Sequence, residues 1–268
     1  MLIDTHCHLN MVVKKEFDVL LKNSDFEKIP EIIAEAQKNS VTKIINVGTS
    51  LPESINSIEI AKRFTSVWAA IGIHPNDLTE NWKMELKILA QYLNEKEANR
   101  IIGIGECGLD FHYPNYNLQR QIDGFKSQIE LALQYNLPLI VHTRSAGQET
   151  LKVLEEYVPN KLNGIIHCFS EDLSFAKQVI SWGFVLGIGG TITYPKNSFL
   201  REIAQTVDLK NIVLETDTPF LPIQAMRGKP NHPRYILEIA KYIAEIMACP
   251  LDQVANQTTL NVARIFEI

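Results

Sequence analysis

Residues 2–9 read LIDTHCHL. Asp4, His6 and His8 occupy alternate positions of an otherwise apolar run, and a period of two marks a strand whose every second side chain shares a face. Two imidazoles on one strand face can grip a single cation. They can also be ordinary polar residues near a strand end. The rest of the chain decides, because seven more Val- and Ile-rich runs follow: KIINVGT, VWAAIGIHP, RIIGIGECGLD, LPLIVHTR, NGIIHCF, FVLGIGG and NIVLETDTP. With LIDTH they begin near residues 2, 43, 67, 100, 137, 163, 184 and 211. A mean repeat of roughly 30 residues suits an eight-unit (β/α)8 barrel, and near-continuous apolar runs fit parallel strands buried on both faces.

Helical patterns fill the gaps. Behind Pro114, the positions Leu118, Ile122, Phe125, Ile129 and Leu133 recur every three or four residues and make one apolar stripe. Ile29, Ile32, Ile33 and Ala36 do the same earlier, Ile236, Ile239, Ile243 and Ile246 do so behind Pro233, and a last stretch lies near LNVARIF. Ser170, followed by Glu171 and Asp172, reads as an N-cap with acids in the first turn. No linker, low-complexity segment or composition break interrupts the alternation. The expected fold is α/β, a single-domain TIM-like (β/α)8 barrel over residues 1–268, with an open doubly wound sheet as the alternative.

The 268 residues are 46% hydrophobic and carry a formal net charge of -5. That balance argues against a broad basic surface for non-specific duplex binding. It leaves room for nucleic acid at a site whose positive charge comes from metal ions. The four cysteines form no CxxC pair, which suits a reducing compartment. No secretory signal is read ahead of the first strand, and no apolar run reaches membrane-spanning length. A cytoplasmic protein with no membrane contact and no obligate protein partner is expected. Cys7, Cys107 and Cys168 each follow a candidate ligand, so alternation should turn their thiols away from the barrel mouth, into the layer between strands and helices.

The chemistry collects at one end of the strands. The first run offers His6 and His8, the third ends at His74, the fourth at Glu106, the fifth at His142, the sixth at His167 and the eighth at Asp217. Five of the seven histidines take these positions, and the C-terminal rim is where a barrel builds its active site. A metal would satisfy so many converging polar groups together. Six ligands exceed what one tetrahedral ion needs and suit two ions, about 3.5–4 Å apart in typical hydrolytic sites. His6, His8 and Asp217, from runs that become neighbours when the barrel closes, are assigned to the first ion. His142 and His167 are assigned to the second, with Glu106 as the bridge. Imidazole-rich ligation favours zinc, manganese or a similar ion, and magnesium is tolerated. By the same parity Asp4 and Glu215 face inward one layer below, either to orient ligands or as a buried pair held by backbone donors.

At these residues the sequence resembles the TatD family of metal-dependent deoxyribonucleases, within the amidohydrolase-like barrels. The resemblance runs through IDTHCHL, GIHP, IGECGLD, LPLIVHTR, HCFS, LGIGG, LETDTPFL, RGKPNHP and NVARIF in order, and so covers essentially the whole chain. The HxH pair places it with the branch that keeps both histidines. One departure is NHP, where His232 replaces an acid common in the family and bears on substrate preference. The resemblance implies a TIM-like barrel, two divalent metal ions (Zn, Mn or Mg), phosphodiester cleavage in DNA, and the ligand set His6, His8, Glu106, His142, His167 and Asp217. RNA and tRNA ends stay open as substrates, because related proteins are associated with removing D-amino acids from tRNA.

In the mechanism expected, Asp217 is both ligand and proton acceptor, Glu106 bridges, and His74 donates to the phosphate or protonates the leaving oxygen. Arg144, Arg227 and Lys229, with His232, lie in loops above the rim and are the candidate substrate contacts. An end-acting enzyme on single strands suits an acidic chain. A hydrolase of small esters or amides on the same metals is the alternative enzyme. No lysine stands at the end of the fourth run, where a carboxylated bridge could sit. A metal-binding scaffold without turnover is the third reading, and the filled ligand positions count against it.

Overall fold

Each of the eight apolar runs is a strand in the computed structural model, which describes residues 1–14 and 16–268. The strands are β1 (Leu2–Cys7), β2 (Val41–Val47), β3 (Val67–Ile71), β4 (Ile101–Asp110), β5 (Leu139–Arg144), β6 (Gly164–Ile166), β7 (Phe184–Ile188) and β8 (Ile212–Leu214). They pair in parallel and in chain order. The alternation of β-branched strands with amphipathic helices dictates this order, since each crossover returns the chain to the same end of the sheet.

The ends of the sheet meet across β1 and β8. Thr5 Oγ1 donates to the Leu214 carbonyl at 3.0 Å, and the His8 amide donates to the Thr218 carbonyl at 2.8 Å. Cys7 and Thr218 form a parallel bridge. The eight strands thus make a nearly closed (β/α)8 barrel, and the open doubly wound sheet is set aside.

Two apolar layers hold it. Ile3, Ile45, Val47, Ala70, Ile140, Ile165, Val185 and Val213 cluster with Val262, Ile265 and Phe266, and Ile102 packs against them. All eight strands therefore contribute to the filled interior, which the last helix caps. The larger cluster lies between strands and helices and includes Cys7 and Cys107, both fully buried. Those two thiols face the layer expected of them.

The helices are α1 (Leu9–Val13), α2 (Asn23–Phe26), α3 (Ile29–Lys38), α4 (Leu51–Arg63), α5 (Trp82–Leu93), α6 (Leu118–Tyr135), α7 (Gly147–Glu155), α8 (Leu173–Ser181), α9 (Ser198–Thr206), α10 (Ile236–Ile246) and α11 (Leu251–Phe266). The stripe on α6 buries Phe125 and Ile129 completely. A Phe125→Ala cavity there would cost about 3–5 kcal/mol. Asn117 starts α6 by accepting the Arg120 amide at 3.0 Å, and Asn136 ends it in a left-handed conformation. Helix α8 corrects one expectation. Its cap is Asp172, which accepts the Phe175 amide at 2.8 Å, and Ser170 lies in the preceding loop. The loop past β6 runs on to Asp172, so its carboxylate and not the Ser170 hydroxyl meets the first free amides of the helix. No helix among the described residues is long and apolar enough to cross a membrane.

Candidate metal centre

The strand ends bring His6, His8, Glu106 and Asp217 to one point. His6 Nε2 and His8 Nε2 are 3.1 Å apart. Glu106 Oε2 lies 3.3 Å from the first and 3.9 Å from the second. Asp217 Oδ1 lies 3.9 Å and 3.3 Å from the same two atoms. Four donors bound at 2.0–2.1 Å around a tetrahedral ion sit about 3.4 Å from one another. The observed separations bracket that edge, so the donor set fits a divalent cation in both size and chemistry.

The other oxygen of Glu106 faces a second group. Oε1 is 2.7 Å from His142 Nδ1, 3.7 Å from His74 Nε2 and 3.9 Å from His167 Nε2. His167 Nε2 is also 3.9 Å from Asp217 Oδ1, and its ring stacks on His6 with centroids 3.4 Å apart. One carboxylate thus touches both groups. The set is looser around Oε1, where His142 alone makes a hydrogen bond.

Strand ends explain these positions. His142 lies within β5 and Glu106 within β4, while His8 and His167 are one residue past their strands. His74 follows β3 by three residues and Asp217 follows β8 by three. Asp217 reaches back because its backbone is left-handed, φ 60°, a conformation Asp tolerates better than most residues. Its amide is tied to the His6 carbonyl at 2.8 Å.

Outer contacts orient the rings. His8 Nδ1 is 2.8 Å from the Val47 carbonyl. His167 Nδ1 is 3.0 Å from Glu215 Oε1, a close ion pair off the angle of a good hydrogen bond. Glu215 therefore takes the orienting role. Asp4 does not: it accepts from the Thr216 amide and hydroxyl at 3.0 and 2.6 Å and from the His6 amide at 3.3 Å, so backbone and hydroxyl donors hold it. Burial opposes ionisation of Glu106, but His74, His142 and His6 beside it hold its carboxyl well below the usual range. Burial also opposes charge on His167, yet Glu215 overrides it and holds the ring up to about 10. Burial and the neighbouring His142 push His74 down to about 3, so that ring stays neutral. In the bare cluster, the protonated His167 ring thus sits where a cation would balance the same carboxylates.

Above the cluster opens a cavity of about 770 Å³, lined by His74, Glu106, His142, His167 and Asp217 and by Met11, Phe17, Asp18, Asp77, Tyr113, Arg144, Cys168, Phe220 and Leu221. Arg144 lies over the Tyr113 ring at 5.8 Å. The other three expected substrate contacts do not line this cavity. Arg227 lies over Tyr194 at 4.9 Å, Lys229 is exposed, and His232 pairs with Glu35 at 3.3 Å.

Cys168 corrects another expectation: it lines the cavity instead of the outer layer. Strand β6 stops at Ile166, and φ 45° at Cys168 breaks the alternation. Burial and the Asp217 charge push its thiol well up, so it stays protonated. Asp110 went unassigned in the sequence, although it shares the parity of Glu106 in GECGLD. It is buried and lies 3.3 Å from His142 Nε2.

A family model described as TatD related DNase matches residues 3–267. The chain is 32% identical over 269 residues to the uncharacterized metal-dependent hydrolase YabD of Bacillus subtilis, covering 100% of both. It is 27% identical over 258 residues to the 3'-5' ssDNA/RNA exonuclease TatD of Erwinia amylovora, covering 94% of this chain and 98% of that one. Among solved structures it is similar to YjjV, a TatD homologue from Escherichia coli K12, with a TM-score of 0.90 at 28% identity, covering 100% of this chain and 98% of that one.

Proposed function

The chain belongs to the family of TatD related DNases and is a metal-dependent hydrolase by that kinship; from this premise we propose that it cleaves phosphodiester bonds in single-stranded nucleic acid, working from an end, with two divalent ions at its rim. The carrying observation is the clustering of four donor atoms from His6, His8, Glu106 and Asp217 at 3.1–3.9 Å. His6, His8 and Asp217 would hold the first ion and His142 and His167 the second, with the Glu106 carboxylate facing both groups. Zinc, manganese and magnesium are the candidates.

When bound, such ions supply Lewis acidity and bring the pKa of water toward neutrality. Asp217, at the edge of the cluster and open to the cavity, accepts the proton of the attacking water. His74 is a neutral ring, which suits donating its N–H to a phosphate oxygen and not protonating the leaving oxygen. Arg144 holds a flanking phosphate. Tyr113, Phe17 and Phe220, each exposed at the mouth, offer faces on which unpaired bases stack, as single-strand binders require. The Erwinia relative, named for single-strand exonuclease activity, supports the same substrate class. A cytoplasmic setting and the absence of an obligate protein partner belong to this reading.

End-labelled single- and double-stranded oligonucleotides, incubated with Mg, Mn or Zn, test it against a panel of small esters and amides and a D-aminoacyl-tRNA. Stepwise shortening of single strands that stops with chelator and in Asp217→Asn is the expected result. Hydrolysis of the esters or the aminoacyl bond with intact oligonucleotides would overturn it.

A further inference from the structure

We propose that Asp18 and Asp77 select the strand end: the wall they form admits a terminus bearing a free hydroxyl and turns away one bearing a phosphate. This rests on the reading of the cavity as a phosphodiesterase site and deepens it.

The cavity has two unlike sides. Among the described residues, Arg144 at the end of β5 is the one lysine or arginine that lines it. Asp18 and Asp77 line it as well. Asp18 lies between α1 and α2, and Asp77 closes the short turn Pro75–Asp77 that follows β3. The strands run in chain order around the barrel, so the acids stand over β1–β3 and the arginine over β5.

The acidic side is built and is not offset. Asp18 has a left-handed backbone, φ 57°. Its amide donates to Glu53 Oε1 at 2.7 Å, and its Oδ1 accepts the Ser50 hydroxyl at 2.6 Å. The Asp77 amide donates to the His74 carbonyl at 2.9 Å, and its side chain is half-buried. Lys14 does not neutralise the pair: its Nζ is committed to Glu53 Oε1 and the Val19 carbonyl, at 2.5 and 2.8 Å. Burial and the charges of Asp18, Glu106 and Glu53 push the Asp77 carboxyl up to about 7. This corner thus resists one more negative charge even on a group of its own.

A strand carries a phosphate at every nucleotide. Over β5 that phosphate meets a guanidinium. Over β1–β3 it would lie against like charges in a partly desolvated corner. A terminal nucleoside with a free hydroxyl has no phosphate to place there, and its hydroxyl donates to a carboxylate oxygen. Phe17, next to Asp18 and 56% exposed, offers its ring to the last base. The same wall disfavours a strand that continues past the site, and so favours cleavage at an end.

The test uses body-labelled single strands that carry hydroxyl or phosphate at either terminus, with Mn²⁺ at about pH 8, where a terminal phosphate is doubly charged. At the terminus where shortening starts, the hydroxyl form should show a kcat/KM about 10–100-fold above the phosphate form. Asp18→Asn, Asp77→Asn and their combination should narrow that ratio by speeding the phosphate-ended strand, a gain that a damaged fold would not give. Equal rates for both forms at both termini overturn this inference alone. A ratio unchanged in the variants, or variants that lose the hydroxyl-ended strand without gaining the phosphate-ended one, overturns it too. Wild-type protein that shortens no strand overturns the phosphodiesterase reading together with it.

Discussion

The backbone amide of Asp217 donates to the carbonyl of His6 across 2.8 Å. One of the hydrogen bonds that join the two ends of the sheet thus also sets two metal-ligand candidates side by side. Thr216 tightens the same seam, giving its hydroxyl to Asp4 Oδ2 at 2.6 Å and accepting that of Thr218 at 2.8 Å. Thr216→Val keeps the shape and removes both contacts, leaving the buried Asp4 carboxyl group short of a partner. Urea unfolding should show a loss of about 1–3 kcal/mol, with weaker ion binding. Unchanged stability would mean that the seam closes without this hydroxyl.

Strand β7 supplies no ligand, yet Gly187 within it matters to the site. A Cβ there would run into the Glu215 carboxylate, the group beside His167 Nδ1. Gly187→Ala should destabilise by about 1–3 kcal/mol through overpacking, and ion affinity should fall because His167 loses its partner. A melt and a zinc titration check the two effects together.

Glu53 on α4 pins the loop that carries Phe17 and Asp18 to the cavity. Its buried carboxylate receives Lys14 Nζ at 2.5 Å, Asn10 Nδ2 at 2.7 Å and the Asp18 amide at 2.7 Å. Burial opposes its charge, but Lys14 and Asn10 hold the carboxyl below its ordinary 4.5. A lowered folded value means the stabilisation is full above 4.5, where the unfolded chain is also ionised, and fades as pH falls below 4.5 through the folded value. Glu53→Gln, which strands Lys14, should cost about 3–5 kcal/mol at pH 7. The gap between parent and variant should narrow in acid; a constant gap would contradict the ionic account.

Phe220→Ala removes a stacking face at the mouth, where the ring is 44% exposed. Base stacking of about 1–3 kcal/mol predicts KM for single-stranded oligonucleotides raised roughly 5- to 150-fold, with kcat little changed. Arg144→Ala should instead flatten the salt dependence of KM by about 0.7 in log–log slope, one phosphate contact fewer on a single strand. Steady-state kinetics at several salt concentrations separate the two.

The barrel was legible because eight β-branched runs at a steady repeat admit few other arrangements, and HxH with GECGLD pointed to the strand ends where the candidate donor atoms cluster. Legibility failed where the chain leaves regular structure. Parity cannot follow His167 into the left-handed turn at Cys168, so alternation points the thiol to the outer layer while the structure turns it to the cavity. Ser170 and Asp172 are both good caps, and only the loop length past β6 decides between them. His232 in NHP has the position of a substrate contact in sequence, but it pairs with Glu35 on α3, 197 positions away in sequence. Asp110 had a readable signal, the shared parity with Glu106, but its partner His142 is on the next strand and the pairing needs the register.

Anomalous diffraction from crystals soaked in Mn²⁺ tests the central claim most directly. The account predicts two peaks at the strand ends, about 2.0–2.2 Å from their ligands. One should touch His6, His8 and Asp217, the other His142 and His167, and both Glu106. A rim without a peak, or ions bound only at other residues, would contradict it.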